Sequence, residues 1–200
     1  MSLPPPDLRA GEAAALAVRT AARAADEGIA AIAYATVDSP VGRLVAVATE
    51  HGLARLAYEL ENGGLEEILD DVALRLSPAI VEAPARLDSI RRELDEYFEG
   101  RRQGFGVPLD WSLSRHGFRR RVLQECARIP FGATRTYKDM AIAAGSPSAF
   151  RAAGGALGSN PIPIVVPCHR VLASSGGLGG YTGGLERKRA LLAIEGGQPM

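Results

Sequence analysis

Apolar positions in the first half of the chain follow two different periods. Ile32 to Val37, Leu44 to Thr49 and Leu53 to Tyr58 are short apolar runs, separated by Asp38-Ser39-Pro40-Val41-Gly42 and by His51-Gly52. Runs of this length between turn-forming residues predict an antiparallel meander of three strands. The period then lengthens. Leu65, Ile68, Leu69, Val72 and Leu76 recur at three- and four-residue steps, and so do Leu87, Ile90, Leu94, Tyr97 and Phe98. These predict two amphipathic helices, the second ended by Gly100. Val107 to Leu109 reads as a short returning strand. Upstream, the Ala-dense residues 11–27 predict a helix stopped by Gly28, behind a Pro-rich first ten residues.

The second half is mostly helical in period. Phe118 to Ile129 predicts a helix stopped at Pro130. Thr136 is placed to cap a helix from Tyr137 to Ala144, closed by Gly145. Ser146 is placed to cap another, with Pro147 at its first position, running to about Leu157. Two short helices about a glycine turn have a helix-turn-helix outline, which a plain helical hairpin shares. Leu185 to Glu195 predicts a last helix. The expected fold class is α+β. Its parts are an extension over residues 1–30, an N-terminal α/β domain with an antiparallel sheet over 31–106, and a mostly helical domain over 107–200.

Composition narrows the function. The 200 residues are 46% apolar and 23% charged, ordinary for a globular protein. The formal net charge of zero hides a polarity: twelve Lys/Arg against five Asp/Glu from Asp110 to Met200, and eleven against eighteen before it. A basic half joined to an acidic half points to a polyanion partner for the basic half. The two cysteines, Cys126 and Cys168, are too few for a disulfide framework or a zinc knuckle, and His51, His116 and His169 show no metal-ligand spacing. Cys126 follows Phe118 and Val122 at helical spacing and reads as core. No cofactor or metal is expected. A free thiol, no membrane-length apolar run and no signal-like N-terminus predict a cytoplasmic protein.

The chemistry gathers at residues 160–170, Asn-Pro-Ile-Pro-Ile-Val-Val-Pro-Cys-His-Arg. Ile162 to Val166 reads as a buried extended segment that delivers Cys168 on stiff backbone, with His169 beside it. Spacing alone leaves open whether His169 activates the thiol or lies on the opposite face of a buried structural cysteine. Ahead of it, Phe150-Arg151-Ala-Ala-Gly-Gly-Ala156 puts one long cation on a helix almost without side chains, fit for close approach to a flat or backbone surface. After it, Ser174 to Gly184 is a glycine-rich loop carrying Tyr181, an aromatic able to lid a flat substrate. The last helix brings Lys188 and Glu195, and a carboxylate can fix a histidine tautomer.

The Pro-Cys-His-Arg core in its apolar run resembles the O6-alkylguanine-DNA alkyltransferases, also called methylated-DNA–protein-cysteine methyltransferases. Arg151-Ala-Ala-Gly-Gly-Ala, Gly180-Tyr-Thr-Gly-Gly184, Pro130-Phe-Gly with Thr136-Tyr137, and Asp38-Ser-Pro-Val-Gly fit the same family, over roughly residues 31 to 195. The resemblance implies a ribonuclease-H-like first domain and a winged-helix-like second. It implies single-turnover repair of duplex DNA, approached through the minor groove by a monomer. An O6-alkylguanine is flipped out and its alkyl group passes irreversibly to Cys168. By the same resemblance His169 acts as base through a water, Glu195 orients it and Asn160 braces the turn. Arg151 fills the gap left by the base, Tyr137 helps rotate the nucleotide, and Tyr181 and Lys188 line the pocket. Tyr137 or Lys188 protonates the leaving guanine. Arg170, Ala152, Gly155 and Ser174 complete the implied contacts to DNA. Two rivals remain at this stage: a damage sensor that flips bases without transfer, and a cysteine hydrolase using Cys168 and His169.

Overall fold

The computed structural model describes residues 32–196, so the helix expected over 11–27 lies outside the described residues. The meander forms as read: β1 (Ile32–Val37), β2 (Leu44–Thr49) and β3 (Gly52–Tyr58) pair antiparallel. A fourth strand absent from the sequence reading, β4 (Ile80–Glu82), pairs parallel with β1, so the sheet is mixed with order β3-β2-β1-β4. Three residues between Pro78 and Pro84 are too few to show a period, and only the open edge of β1 recruits them.

Side-chain alternation divides the sheet into two faces. Val45 and Val47 face α1 (Leu65–Arg75) and bury against Ile68 and Val72. Leu44 and Ala46 face the other way, towards Ile90, Leu94 and Tyr97 of α2 (Asp88–Phe98), in a core continuous with the second half of the chain. A bulge at Ala54, where Val47 pairs Arg55 but Ala48 pairs Leu53, puts Leu53 and Leu56 on the same face despite their odd spacing.

The edge strand β3 joins the two halves. Leu53 N–H donates to Pro108 O (2.8 Å) and Leu56 N–H to Pro161 O (2.9 Å). The segment expected as a strand at 107–109 touches β3 as one parallel bridge, Leu53 to Leu109. Gly52 permits this approach: at φ 133°, a β-carbon there would lie 2.3 Å from Pro108 O.

The second half is helical: α3 (Phe118–Ala127), α4 (Tyr137–Ala143), α5 (Phe150–Gly158) and α6 (Leu185–Ile194), with a two-residue ladder between β5 (Arg135–Thr136) and β6 (Val171–Leu172). Thr136 caps α4 as expected, in a full capping box with Asp139. Ser146 does not cap α5. The chain from Ser146 to Ala149 is a turn closed by Ala149 N–H to Ser146 O (2.9 Å), and the helix starts at Phe150. Among the described residues no helix is long and apolar enough to cross a membrane.

Candidate active site

The segment expected to be extended before the cysteine is instead a tight coil. Val166 N–H donates back to Ile162 O (2.8 Å), and Ile164 has a left-handed φ of 73°. A β-branched residue in that region stores about 1–3 kcal/mol of strain. Complete burial of Ile162, Ile164 and Val166 holds the coil shut. Asn160 staples both of its ends. Its Nδ2 donates to Val166 O (2.8 Å) and to Cys168 Sγ (3.2 Å), while its Oδ1 accepts from Ile162 N–H (3.0 Å). Cys168 then opens a single 3₁₀ turn, Cys168–Arg170, rather than a strand, and all three of its side chains are buried.

Burial pushes the Cys168 thiol pKa up. The Asn160 amide, the Lys188 charge and the main-chain N–H groups of Cys168 and His169 act against it by favouring the thiolate. The thiol is therefore protonated at rest and needs a base. His169 Nε2 lies 2.8 Å from Glu195 Oε1, which fixes the proton on Nε2 and leaves Nδ1 with its lone pair. Nδ1 is buried and has no hydrogen-bond partner among the described residues. Burial lowers the His169 pKa against the pull of Glu195, so the ring rests neutral, in the form a base requires.

Glu195 holds this arrangement together from the C-terminal cap of α6. Its Oε1 accepts from Tyr97 Oη (2.7 Å) as well as His169, and Arg170 grips both oxygens, Nε to Oε2 and Nη2 to Oε1, each 2.8 Å. Burial alone would raise this carboxyl, but hydrogen bonds from His169, Arg170 and Tyr97 outweigh it and bring the pKa down to about 2. Arg170 Nη1 also donates to Ile129 O (2.5 Å). The expectation that Arg170 contacts DNA is therefore corrected: the 3₁₀ turn folds its guanidinium into the core, where it neutralises Glu195.

Lys188 is likewise corrected. It is fully buried and lines neither cavity beside Cys168. Its ammonium donates to Val171 O (2.6 Å), Leu178 O and Gly180 O (3.4 Å), which ties the glycine-rich loop to β6. With all three protons engaged, it is a poor donor to a leaving group. Burial draws its pKa down to about 8, partly offset by the neighbouring thiols.

Tyr181 does reach the site. It borders both cavities beside Cys168, and its hydroxyl lies 2.8 Å from that of Tyr58 on β3. Tyr58 and Tyr97 were missed in the sequence because both sit at core positions of regular elements. Nothing in the sequence marks them; only the fold shows Gly183 packed so closely on the Tyr58 ring that a β-carbon would lie 2.4 Å from it. Tyr137 lines the larger cavity, of about 460 Å³, beneath α5 with Gly154, and its hydroxyl donates to Gly180 O (3.4 Å). Arg151, Ala152 and Gly155 are exposed on α5. Arg151 makes no ion pair among the described residues and rests over the Phe150 ring at 5.7 Å. Ser174 is exposed on the turn after β6.

Two family models divide the chain. The ribonuclease-like domain of 6-O-methylguanine DNA methyltransferase matches residues 32–111, and the DNA binding domain of 6-O-methylguanine DNA methyltransferase matches residues 117–197. A methylated-DNA–protein-cysteine methyltransferase of Mycolicibacterium paratuberculosis is 40% identical over 164 residues, spanning 82% of this chain and 92% of its own. The Mycobacterium tuberculosis O6-methylguanine methyltransferase structure matches with a TM-score of 0.71 at 37% identity, covering 84% of this chain and 95% of that one. A structure of the Mycobacterium tuberculosis OGT in complex with DNA matches at TM-score 0.69 and 40% identity, covering 82% and 92%.

Proposed function

Because this chain belongs to the 6-O-methylguanine DNA methyltransferase family, we propose that Cys168 Sγ is the atom that receives the alkyl group. The protein is a DNA-repair alkyltransferase that reverses O6-alkylation of guanine directly, and DNA is its partner. The observation that carries the residue assignment is a buried His169, held by Glu195 at 2.8 Å, in the same turn as Cys168, whose Sγ accepts from Asn160 (3.2 Å).

In this reading His169 Nδ1 accepts the thiol proton through a water as Sγ meets the alkyl carbon. The S–C bond forms as the C–O6 bond breaks. The imidazolium so created is stabilised by Glu195, already anionic and already oriented. Tyr137, on the wall of the larger cavity, gives a proton to the departing guanine. The thioether is not hydrolysed, so each molecule acts once.

DNA is met by α5 in the minor groove, where its small exposed residues admit close contact. The unpaired Arg151 enters the stack where the flipped nucleotide was, Ala152 and Gly155 lie against the backbone, and Ser174 contacts the strand from its turn. The protein acts as a cytoplasmic monomer, with the working division of the chain near residue 107. The test is intact-protein mass after incubation with duplex DNA carrying O6-methylguanine. A gain of one methyl, mapped to Cys168, is expected. DNA binding without a mass change would mean a sensor, and catalytic turnover of an acyl substrate would mean a hydrolase.

A further inference from the structure

Cys168 borders two cavities. The larger lies beneath α5 and is bounded by Tyr137, Gly154 and Gly180, on the face assigned to DNA. The smaller, of about 240 Å³, leads along β3 to Arg55, Asn62 and Arg75 of the N-terminal half. A purine extruded from DNA enters the first. The group attached to its O6 must reach the sulfur, and beyond the sulfur the second cavity is the space available to it.

The far end of that second cavity is cationic. Arg55 and Arg75 share a single carboxylate, Asp71, with Arg55 Nη1 at 2.5 Å and Arg75 Nη1 at 3.3 Å. Arg55 Nη2 donates to Asn62 Oδ1 (3.2 Å) and Arg75 Nη2 to Leu113 O (2.5 Å). Arg55 Nε is buried with no partner among the described residues. No carboxylate is among the residues that border the cavity. Two guanidiniums against one carboxylate leave this end of the cavity net cationic, a site short of one anion.

Resting on the assignment of Cys168 as acceptor, we propose that the smaller cavity is a channel for the O6-substituent, and that its arginine end selects substituents terminating in a carboxylate. The reaction is unchanged. The C–O6 bond breaks, the S–C bond forms, the thiol proton leaves through His169, and the carboxylate remains ionised on the transferred group. Burial lowers the Arg55 pKa more than Asp71 restores it, and an incoming carboxylate would relieve that cost.

The experiment uses the full chain and three free bases: O6-benzylguanine, O6-(4-carboxybenzyl)guanine and its uncharged isostere O6-(4-carbamoylbenzyl)guanine. Transfer of a methyl group to Cys168 from duplex DNA carrying O6-methylguanine, read by intact mass, first establishes that the acceptor works; its absence would sink the acceptor assignment, whereas methyl transfer without benzyl transfer overturns the channel. The carboxylate is then expected to react roughly tenfold faster than the carbamoyl compound, the effect of one charge-assisted hydrogen bond. That ratio should fall towards one in Arg55→Gln and in Arg75→Gln, and should shrink in the parent protein as salt is raised. Equal rates for the two para-substituted bases, or a ratio indifferent to both substitutions and to salt, overturns the channel's charge selectivity.

Discussion

The hydroxyls of Tyr58 and Tyr181 lie 2.8 Å apart, with their rings edge-to-face at 6.3 Å, so a strand of the N-terminal sheet holds the aromatic wall of the cysteine pocket. Arg187 reinforces the pair from α6. Its guanidinium stands 4.8 Å from the Tyr58 ring centroid while bonding Val41 O (2.5 Å), Gly183 O (2.9 Å) and Glu61. Tyr58→Phe removes one hydroxyl and leaves that of Tyr181 without its partner. Stability should drop by about 1 kcal/mol in urea denaturation, the worth of one such bond. Alkyl transfer should slow by roughly threefold to tenfold as the wall loosens. An unchanged rate would mean that the pair serves folding alone.

Glu195 links acid stability to the placement of His169 and Arg170. Its folded pKa of about 2 lies below the ordinary carboxyl value, so its contribution is complete above about pH 5 and is lost as pH falls through 2. The shift corresponds to about 3 kcal/mol. Glu195→Gln should flatten this part of the stability–pH curve. It should also cost about 3–5 kcal/mol at neutral pH, because Arg170 is left buried without its anion. Chemical denaturation across pH 2 to 7 checks both. Transfer should fall by at least about a hundredfold, since the amide no longer stabilises the imidazolium.

The thiol and the imidazole should both rest uncharged. Burial raises the Cys168 pKa and lowers that of His169. Alkylation of Cys168 by iodoacetamide should therefore be slow at pH 7 and climb only in the alkaline range. Transfer to Cys168 should persist below pH 6.5, where an ordinary histidine is protonated, and fail only at lower pH. Fast labelling at neutral pH would mean a standing thiolate–imidazolium pair.

The place proposed for Arg151 in the DNA stack predicts that its loss separates DNA handling from chemistry. Arg151→Ala should reduce repair of O6-methylguanine in duplex DNA by roughly tenfold or more, and reaction with free O6-benzylguanine by less than about twofold. Cys168→Ala should abolish transfer and retain DNA binding in an electrophoretic shift. Equal losses of Arg151→Ala on both substrates would remove its proposed place in the stack.

The meander, the helices and the α+β class were legible in the sequence because each rests on a local period: two residues for strands, between three and four for helices. The capping box at Thr136 was legible for the same reason, since three adjacent residues contain it. The cysteine, the histidine, Arg151 and Tyr181 could be singled out by residue type, spacing and resemblance. The tertiary structure decided what no local pattern holds. β4 exists only because β1 offers an edge. The run before Cys168 coils instead of extending because the Asn160 hydrogen bonds and the burial of Ile162, Ile164 and Val166 outweigh local preference and the strain at Ile164. Arg170 and Lys188 turn inward because a buried carboxylate and three carbonyl oxygens need donors. Tyr58, Tyr97 and Arg55 join the site from residues that precede Cys168 by 71 positions or more, and hydrogen bonds across such distances leave no periodic trace in the chain.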